Sequence, residues 1–283
     1  MTGTLYLVGT PIGNLGDFSP RATKTLEEAD FIAAEDTRVT LKLLNRFGIK
    51  KPMISYFEHN KFRRGEEIAA RLEAGENCAL VTDAGMPAIS DPGADLVALC
   101  AERGIPVAVV PGPCAAISAL AVSGLDTARF CFEGFLEMDK KSRLEHLKAV
   151  SGERRTMVFY EAPHKLKATL KDLFDTFGDR RVTLAREMTK LHEDAVRTTL
   201  AEAVNFYDQN EPRGEFVLVI EGAAAQSEEA AGESAYSAAD AETLVVRYLA
   251  EGMTRPEAVK LAAKETGVKR SELYKLTAEQ RSN

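Results

Sequence analysis

Short apolar runs alternate with longer amphipathic ones through the first part of the chain. TLYLVG (4–9) has the uninterrupted apolar character of a buried strand. Ser19-Pro20 then offers an N-cap and a first-turn proline for a helix through about Ala29. FIAAE (31–35), MISYF (53–57), CALVT (78–82) and PVAVV (106–110) are further strands. Between them lie TRVTLKLLNRFG (37–48), a charged segment 61–75 and GADLVALCAERG (93–104), all with helical spacing; the first and last stop on glycine. CAAISALAVSG (114–124) follows as a helix of small residues. Uncharged strands alternating with helices predict a parallel sheet covered on both faces.

The rhythm changes after Leu125. FCFEGFL (130–136), TMVFYEA (156–162), RRVTLARE (180–187) and EFVLVIEG (215–222) are strand candidates. Leu166, Leu170, Leu173, Phe174 and Phe177 recur at helical spacing within 164–178. The pattern predicts α/β domains over 1–115 and 116–222, with the change near 113–130. Residues 223–240, AAAQSEEAAGESAYSAAD, have the small, acidic composition of a linker. Residues 241–283 read as a small helical domain: helices near 240–251 and 255–265, then a third opening at Lys269-Arg270. That spacing suits either a helix–turn–helix or a helical tail packed on something else.

Composition narrows the function. At 283 residues, 45% hydrophobic and 28% charged, the chain has ordinary globular values. The N-terminal apolar run is short and lacks a basic leader, and nothing approaches the roughly 20 apolar residues of a membrane span, so a cytoplasmic protein is expected. Cys78, Cys100, Cys114 and Cys131 are scattered, which favours free thiols over disulfides or a metal site. His59, His146, His164 and His192 are isolated too, so no metal is expected. The net charge is −7. Residues 241–283 hold eight Lys/Arg against six Asp/Glu, a local +2, leaving −9 for the rest. Nucleic-acid contact would therefore depend on local basic surface: Lys61-Phe62-Arg63-Arg64, Lys140-Lys141-Ser142-Arg143, Arg154-Arg155, or Arg255, Lys260, Lys264, Lys269 and Arg270 of the tail.

Three loops follow strands where ligands gather in open parallel sheets. LVGTPIGNLGD (7–17) spaces its glycines as GxxxGxxG, neither a dinucleotide fingerprint nor a P-loop, and Pro11 removes an N–H that a phosphate would want. VTDAGMPAISDPG (81–93) is too long and too rich in Gly and Pro for a simple connector. VPGPCAA (110–116) again sets glycine and small residues at a strand end. Together they predict a crevice for a ligand without phosphates.

These loops in this order, TPIGNLGD, AAEDTR, VTDAGMPAISDPG, VPGPCAA, FYEAPHKL and GEFVLVIEG, resemble the tetrapyrrole methylase superfamily over about residues 3–222. Within it they are similar to its small-subunit (16S) ribosomal RNA 2′-O-ribose methyltransferases, which act on a cytidine. The resemblance extends to a small appended C-terminal domain. It implies two α/β domains with S-adenosyl-L-methionine in the cleft between them, a homodimer, and 16S rRNA, in the assembled small ribosomal subunit, as substrate. Carried over, the cofactor contacts are Pro11, Asp83, Gly85, Pro87, Ala116 and Ile117 from the first domain and Ala162, Glu215 and Phe216 from the second. The acidic-proline loop, often GDP in small-molecule members, here reads Asp83-Ala84-Gly85-Met86-Pro87, as expected of the RNA-modifying subgroup.

Methylating a ribose hydroxyl calls for a proton acceptor or a cation near the forming alkoxide. Asp36 and Arg38 in AAEDTR are candidates, although an N-cap with a first-turn arginine would look the same. His59 has the right titration range but equally suits a surface group. Glu161 closes a second-domain strand and could act or could be structural; Glu187 could pair with Arg186. Two other functions fit parts of the chain: a methyltransferase for a tetrapyrrole-like acid, and a ligand-sensing regulator with a helix–turn–helix tail.

Overall fold

The computed structural model describes residues 1–224, 238–266, 268 and 272–274. Two compact units divide the chain, Met1–Ala223 and Ala224–Asn283.

The first half of the larger unit holds β1 (Leu5–Val8), α1 (Pro20–Glu28), β2 (Phe31–Ala34), α2 (Thr37–Arg46), β3 (Met53–Ser55), α3 (Lys61–Glu73), β4 (Cys78–Val81), α4 (Gly93–Glu102) and β5 (Val107–Val110). The five strands form one parallel sheet in the order β3-β2-β4-β1-β5. Alternation along each strand divides its side chains between two cores. Phe31, Ala33, Cys78 and Leu80 join Ile68, Leu72, Leu96 and Cys100 on one face. Ile32, Ala34, Ala79 and Val81 join Leu26 and Leu44 on the other. Each fully buried aliphatic side chain contributes about 1.5–3 kcal/mol, so two stacked layers account for strands that carry no charge at all. Ser19 caps α1 by accepting from the Ala22 N–H at 3.1 Å, with Pro20 in its first turn, as the sequence predicts.

The second half continues with α5 (Ala115–Val122), β6 (Phe130–Phe135), α6 (Lys140–Val150), β7 (Thr156–Glu161), α7 (Pro163–Phe177), β8 (Arg181–Arg186), β9 (Asp194–Thr199), α8 (Leu200–Gln209) and β10 (Phe216–Ile220). Its sheet runs β6-β7-β10-β8-β9. β6 and β7 are parallel, and the remaining pairs are antiparallel. α5 packs on this second sheet: Ala116, Ala119 and Leu120 meet Val158, Ala185, Val217 and Val219. α6, β9 and α8 are additions to the sequence reading. β9 lies at the sheet edge with Val196 and Arg197 exposed, so it never shows a buried strand's apolar run. α6 buries Leu147 alone, too little for an apolar stripe.

The smaller unit contains α9 (Ala238–Ala250) and α10 (Arg255–Thr266), which close on a core of Ala241, Val245, Tyr248, Ala258, Val259, Ala262 and Leu273. α9 begins inside the stretch read as linker. Most of that stretch (225–237), along with Lys269 and Arg270, lies outside the described residues. Among the described residues no helix is long and apolar enough to cross a membrane.

Candidate functional site

In a parallel sheet every strand delivers its following loop to the same edge. The loops after β1, β4 and β5 therefore meet, and they lock together. Thr10 and Gly85 exchange backbone hydrogen bonds (Thr10 N–H to Gly85 O 2.9 Å, Gly85 N–H to Thr10 O 3.1 Å). Gly9 and Gly112 touch so closely that a Cβ on Gly9 would stand 2.6 Å from Gly112 Cα. The glycines of the first and third loops are thus needed for loop-on-loop contact.

The second sheet reaches the same place by a different route. β10 runs antiparallel to both neighbours, and Phe216 at its start pairs with Glu161 at the end of β7 and Arg186 at the end of β8. One sheet edge therefore collects Glu161-Ala162, Glu187 and Glu215-Phe216, segments far apart in sequence.

A cleft of about 360 Å³ opens between these two sets of loops. Ile12, Glu35, Thr82–Met86, Ile89–Asp91, Cys114 and Ala115 line it from the first domain. Phe135, Tyr160, Glu161, Ala162, Ala185, Glu187, Met188, Lys190 and Glu215–Val217 line it from the second. Six carboxylates (Glu35, Asp83, Asp91, Glu161, Glu187, Glu215) face a single cation, Lys190. The four non-glycine residues with left-handed backbone among the described residues are Ala88, Ser90, Glu187 and Thr189, and all four belong to the two loops at this cleft. Such strain persists where surrounding structure holds it, typically at functional sites.

Several carboxylates are held in defined states. Glu35 accepts from Thr82 Oγ1 at 2.6 Å. Glu161 is buried with both oxygens engaged, one by Ala162 N–H (2.8 Å) and one by Thr169 Oγ1 (2.5 Å). Desolvation raises the pKa of Asp83, offset in part by the Asp36 N–H that donates to it at 3.0 Å. Burial also raises that of Asp91, whose Oδ1 takes the Ala88 and Gly93 N–H groups. Asp91 Oδ2 is buried with no donor among the described residues. A cationic ligand would relieve both aspartates. Burial pushes the Tyr160 phenol up to about 12, so it stays neutral and accepts from Ala116 N–H at 3.2 Å.

The predicted site residues divide into groups. Asp83, Gly85, Glu161, Ala162, Glu215 and Phe216 line the cleft together. Pro11 lines an adjoining groove, next to Ile12 in the cleft wall. Pro87 and Ala116 are buried just behind the lining, and Ile117 is exposed on α5. Asp36 is the N-cap of α2 and binds Arg38 through its side chain (2.6 Å); this arginine and its backbone N–H hold the carboxyl down at about 2. His59 is exposed in the turn before α3, edge-on to Phe57, away from the cleft lining. Asp91 and Tyr160 are cleft residues that the sequence reading did not select, and Glu35, Glu187 and Lys190, noted there only as residues at strand ends, join them in the lining.

The adjoining groove, about 410 Å³, shares Thr82 and Asp83 with the cleft. Pro11, Leu15, Val39 and Leu43 give it an apolar floor, and Lys42 and Arg46 rise from α2 one turn apart. Both are exposed, and neither has an ion-pair partner among the described residues. Several cations of the basic runs noted in the sequence are paired: Lys61 with Glu58 and Asp95, Arg64 with Glu67, Lys141 with Glu145, Arg143 with Asp172 and Arg155 with Glu153. Among the described residues no three His, Cys, Asp or Glu side chains gather as a metal ligand set. Cys78 and Cys100 are buried free thiols, whereas Cys114 and Cys131 are only half-buried.

Comparison with known proteins places this architecture. The family profile of Tetrapyrrole (Corrin/Porphyrin) Methylases matches residues 4–204. A Synechocystis protein named ribosomal RNA small subunit methyltransferase I is 49% identical over 98% of this chain and 98% of its own length. A Thermotoga maritima protein of the same name is 50% identical over 78% of this chain and 99% of its own. Among solved structures, a uroporphyrin III C-methyl transferase from Thermus thermophilus superposes with a TM-score of 0.56 at 18% identity, over 77% of this chain and 97% of its own, a likeness of fold. The chain belongs to the tetrapyrrole methylase family, in the branch whose members are named ribosomal RNA small subunit methyltransferase I.

Proposed function

We propose that this protein is an S-adenosyl-L-methionine-dependent methyltransferase that 2′-O-methylates the ribose of a cytidine in 16S rRNA. The observation that carries this reading is the charge of the cleft: six carboxylates against one lysine. S-adenosylmethionine is a sulfonium with an ammonium group and no phosphate, and it complements such a wall. The loops supply backbone polar groups instead of a phosphate cradle, and Asp91 Oδ2 is buried with no donor among the described residues. A polycarboxylate tetrapyrrole would face six carboxylates against one cation, so the acidic lining weighs against the small-molecule reading. The relatives' printed name supports ribosomal RNA as substrate.

When bound, S-adenosylmethionine supplies an electrophilic methyl carbon. The protein positions and shields. Asp83 and Asp91 would hold the cation, and Ile12, Met86, Phe135, Met188 and Val217 exclude water with apolar walls. Lys42 and Arg46 offer phosphate contacts at the rim shared with the groove, the surface on which an RNA strand can approach. We further propose a cytoplasmic homodimer acting on the assembled small subunit, since a single ribose is best selected through RNA shape.

Titration calorimetry with S-adenosylmethionine, followed by transfer of labelled methyl to small subunits, to free 16S rRNA and to a porphyrinoid acid, tests the reading. It predicts saturable donor binding and label in RNA. Label in the porphyrinoid, or no donor binding, refutes it.

A further inference from the structure

A ribose hydroxyl is a weak acid and must lose its proton as its oxygen is methylated. Most carboxylates at the cleft are committed elsewhere. Glu161 is saturated by Ala162 N–H and Thr169, Glu35 is tied to Thr82, and Asp83 and Asp91, each accepting backbone N–H groups, are given above to the donor cation. Glu215 has no side-chain partner among the described residues to position it. Glu187 differs: its Oε1 accepts from Lys190 Nζ at 2.9 Å, and Lys190 is the one cation of the lining.

We propose that Glu187 and Lys190 are the catalytic pair of the methyl transfer, Glu187 accepting the hydroxyl proton and Lys190 stabilising the negative charge that builds on the oxygen. This rests on the function proposed above. The ion pair leaves Glu187 Oε2 and two of the three ammonium N–H groups unused among the described residues.

The surroundings are shaped around the pair. Glu187 (φ 50°) and Thr189 (φ 67°) both hold left-handed backbone without being glycine. The turn is pinned by Thr189 N–H to Glu193 (2.6 Å) and by Lys190 N–H to Glu187 O (3.0 Å). Two glycines from other loops make room. A Cβ on Gly13 would stand 2.3 Å from Lys190 Cγ, and one on Gly214 would stand 2.5 Å from Glu187 Oε1. The pair itself is partly exposed, with side chains 28% and 39% accessible, so it stabilises the fold little. A strained turn and two glycines around a pair that adds little stability point to chemistry.

The step balances. The 2′-oxygen forms its bond to the methyl carbon of the sulfonium donor while its proton passes to the Glu187 carboxylate. The carbon–sulfur bond breaks and its electrons stay on sulfur, leaving a neutral thioether. Lys190 keeps its charge throughout, and Glu187 then releases the proton to water.

The test compares Glu187→Gln, Lys190→Ala and Lys190→Arg with wild type. Glu187→Gln and Lys190→Ala should each lower kcat by about 100-fold. The dissociation constant of S-adenosylmethionine, measured by calorimetry without RNA, and the KM for RNA should stay within about threefold of wild type, the split expected when an interaction made in the transition state is lost. Lys190→Arg should recover most of the rate lost in Lys190→Ala. Lys190 should be protected from an amine-acylating reagent, read by mass spectrometry, once RNA and S-adenosylhomocysteine are bound. Rates within threefold of wild type, losses that follow donor affinity, or unchanged acylation of Lys190 would overturn the pair while leaving the methyltransferase reading intact. A wild-type protein that transfers no methyl to RNA would overturn that reading, and the pair with it.

Discussion

The cleft and the groove share Thr82 and Asp83 and are otherwise opposites. The cleft is built from both sheets and lined by carboxylates. The groove is built from the first domain alone, with an apolar floor and two cations that have no ion-pair partner among the described residues. A carboxylate wall concentrates cations and a basic rim concentrates anions, so the two surfaces sort two reactants of opposite charge to either side of one wall. The protein's net charge of −7 hides this division, because it averages a strongly acidic interior over a locally basic approach.

The largest effect should come from spoiling the cleft alone. Gly85 has φ +89°, and a Cβ there would already touch Ile12 and the Pro113 carbonyl at 3.4 Å. Gly85→Val should weaken S-adenosylmethionine binding by about 100-fold or more, equivalent to roughly 2.7 kcal/mol. Circular dichroism should remain near wild type. Calorimetry showing normal affinity would mean the donor lies elsewhere.

Spoiling the groove alone should leave the donor untouched. Lys42→Ala with Arg46→Ala should raise the KM for RNA by about tenfold and reduce the salt dependence of RNA binding by about two phosphate contacts. Filter binding across a salt series checks this. An unchanged salt slope would leave Arg46 as no more than a cation favourably placed in the last turn of α2.

Acidity should separate the two surfaces next. The pKa values of Asp83 and Asp91 are raised above the ordinary 3.8. A cationic ligand favours their ionised forms. Donor affinity is therefore full above those raised values and is lost as pH falls through them, beginning above pH 3.8. Without donor the sign reverses: the folded chain binds these protons more tightly than the unfolded chain, so these two groups destabilise less as pH falls through the same window. Calorimetry over a pH series should show affinity dropping on the acidic side, and a flat profile would remove both aspartates from the cation site.

The smallest effect should come from the C-terminal unit. The Thermotoga relative matches over 78% of this chain while covering 99% of itself, about the share taken by Met1–Ala223. Removing residues 238–283 should spare donor affinity entirely and slow RNA methylation only a few-fold. A loss of donor binding in that truncation would show the larger unit to be incomplete.

What the sequence reveals follows the same physical division. The first sheet is covered on both faces, so its strands are uniformly apolar and each one is recognisable alone. The second sheet's edge strand β9 and the weakly buried α6 carry mixed patterns that only their partners explain. At the site, composition marks the loops after β4 and β5, whereas Asp83, Gly85, Ala162, Glu215 and Phe216 come from the family resemblance, and the structure places these five in one cleft lining. Asp36 and Arg38 illustrate the converse: the motif fits a cap as well as a site, and the structure shows the cap. Glu187 shows in the sequence only as a strand-end carboxylate that could pair with Arg186; the structure pairs Arg186 with Asp194 and Glu187 with Lys190 instead, through a left-handed turn without glycine that leaves no compositional mark. Lys42 and Arg46 did leave one, two cations four residues apart on a helix, but nothing in the sequence shows which face is left open.

The central claim is that the acidic cleft delivers a methyl group to a ribose hydroxyl of small-subunit RNA. Mass mapping of 16S rRNA from cells lacking this protein, and from the same cells with it restored, tests that claim most directly. The account predicts one 2′-O-methylated cytidine that disappears and returns with the protein; an unchanged set of ribose methylations would contradict it.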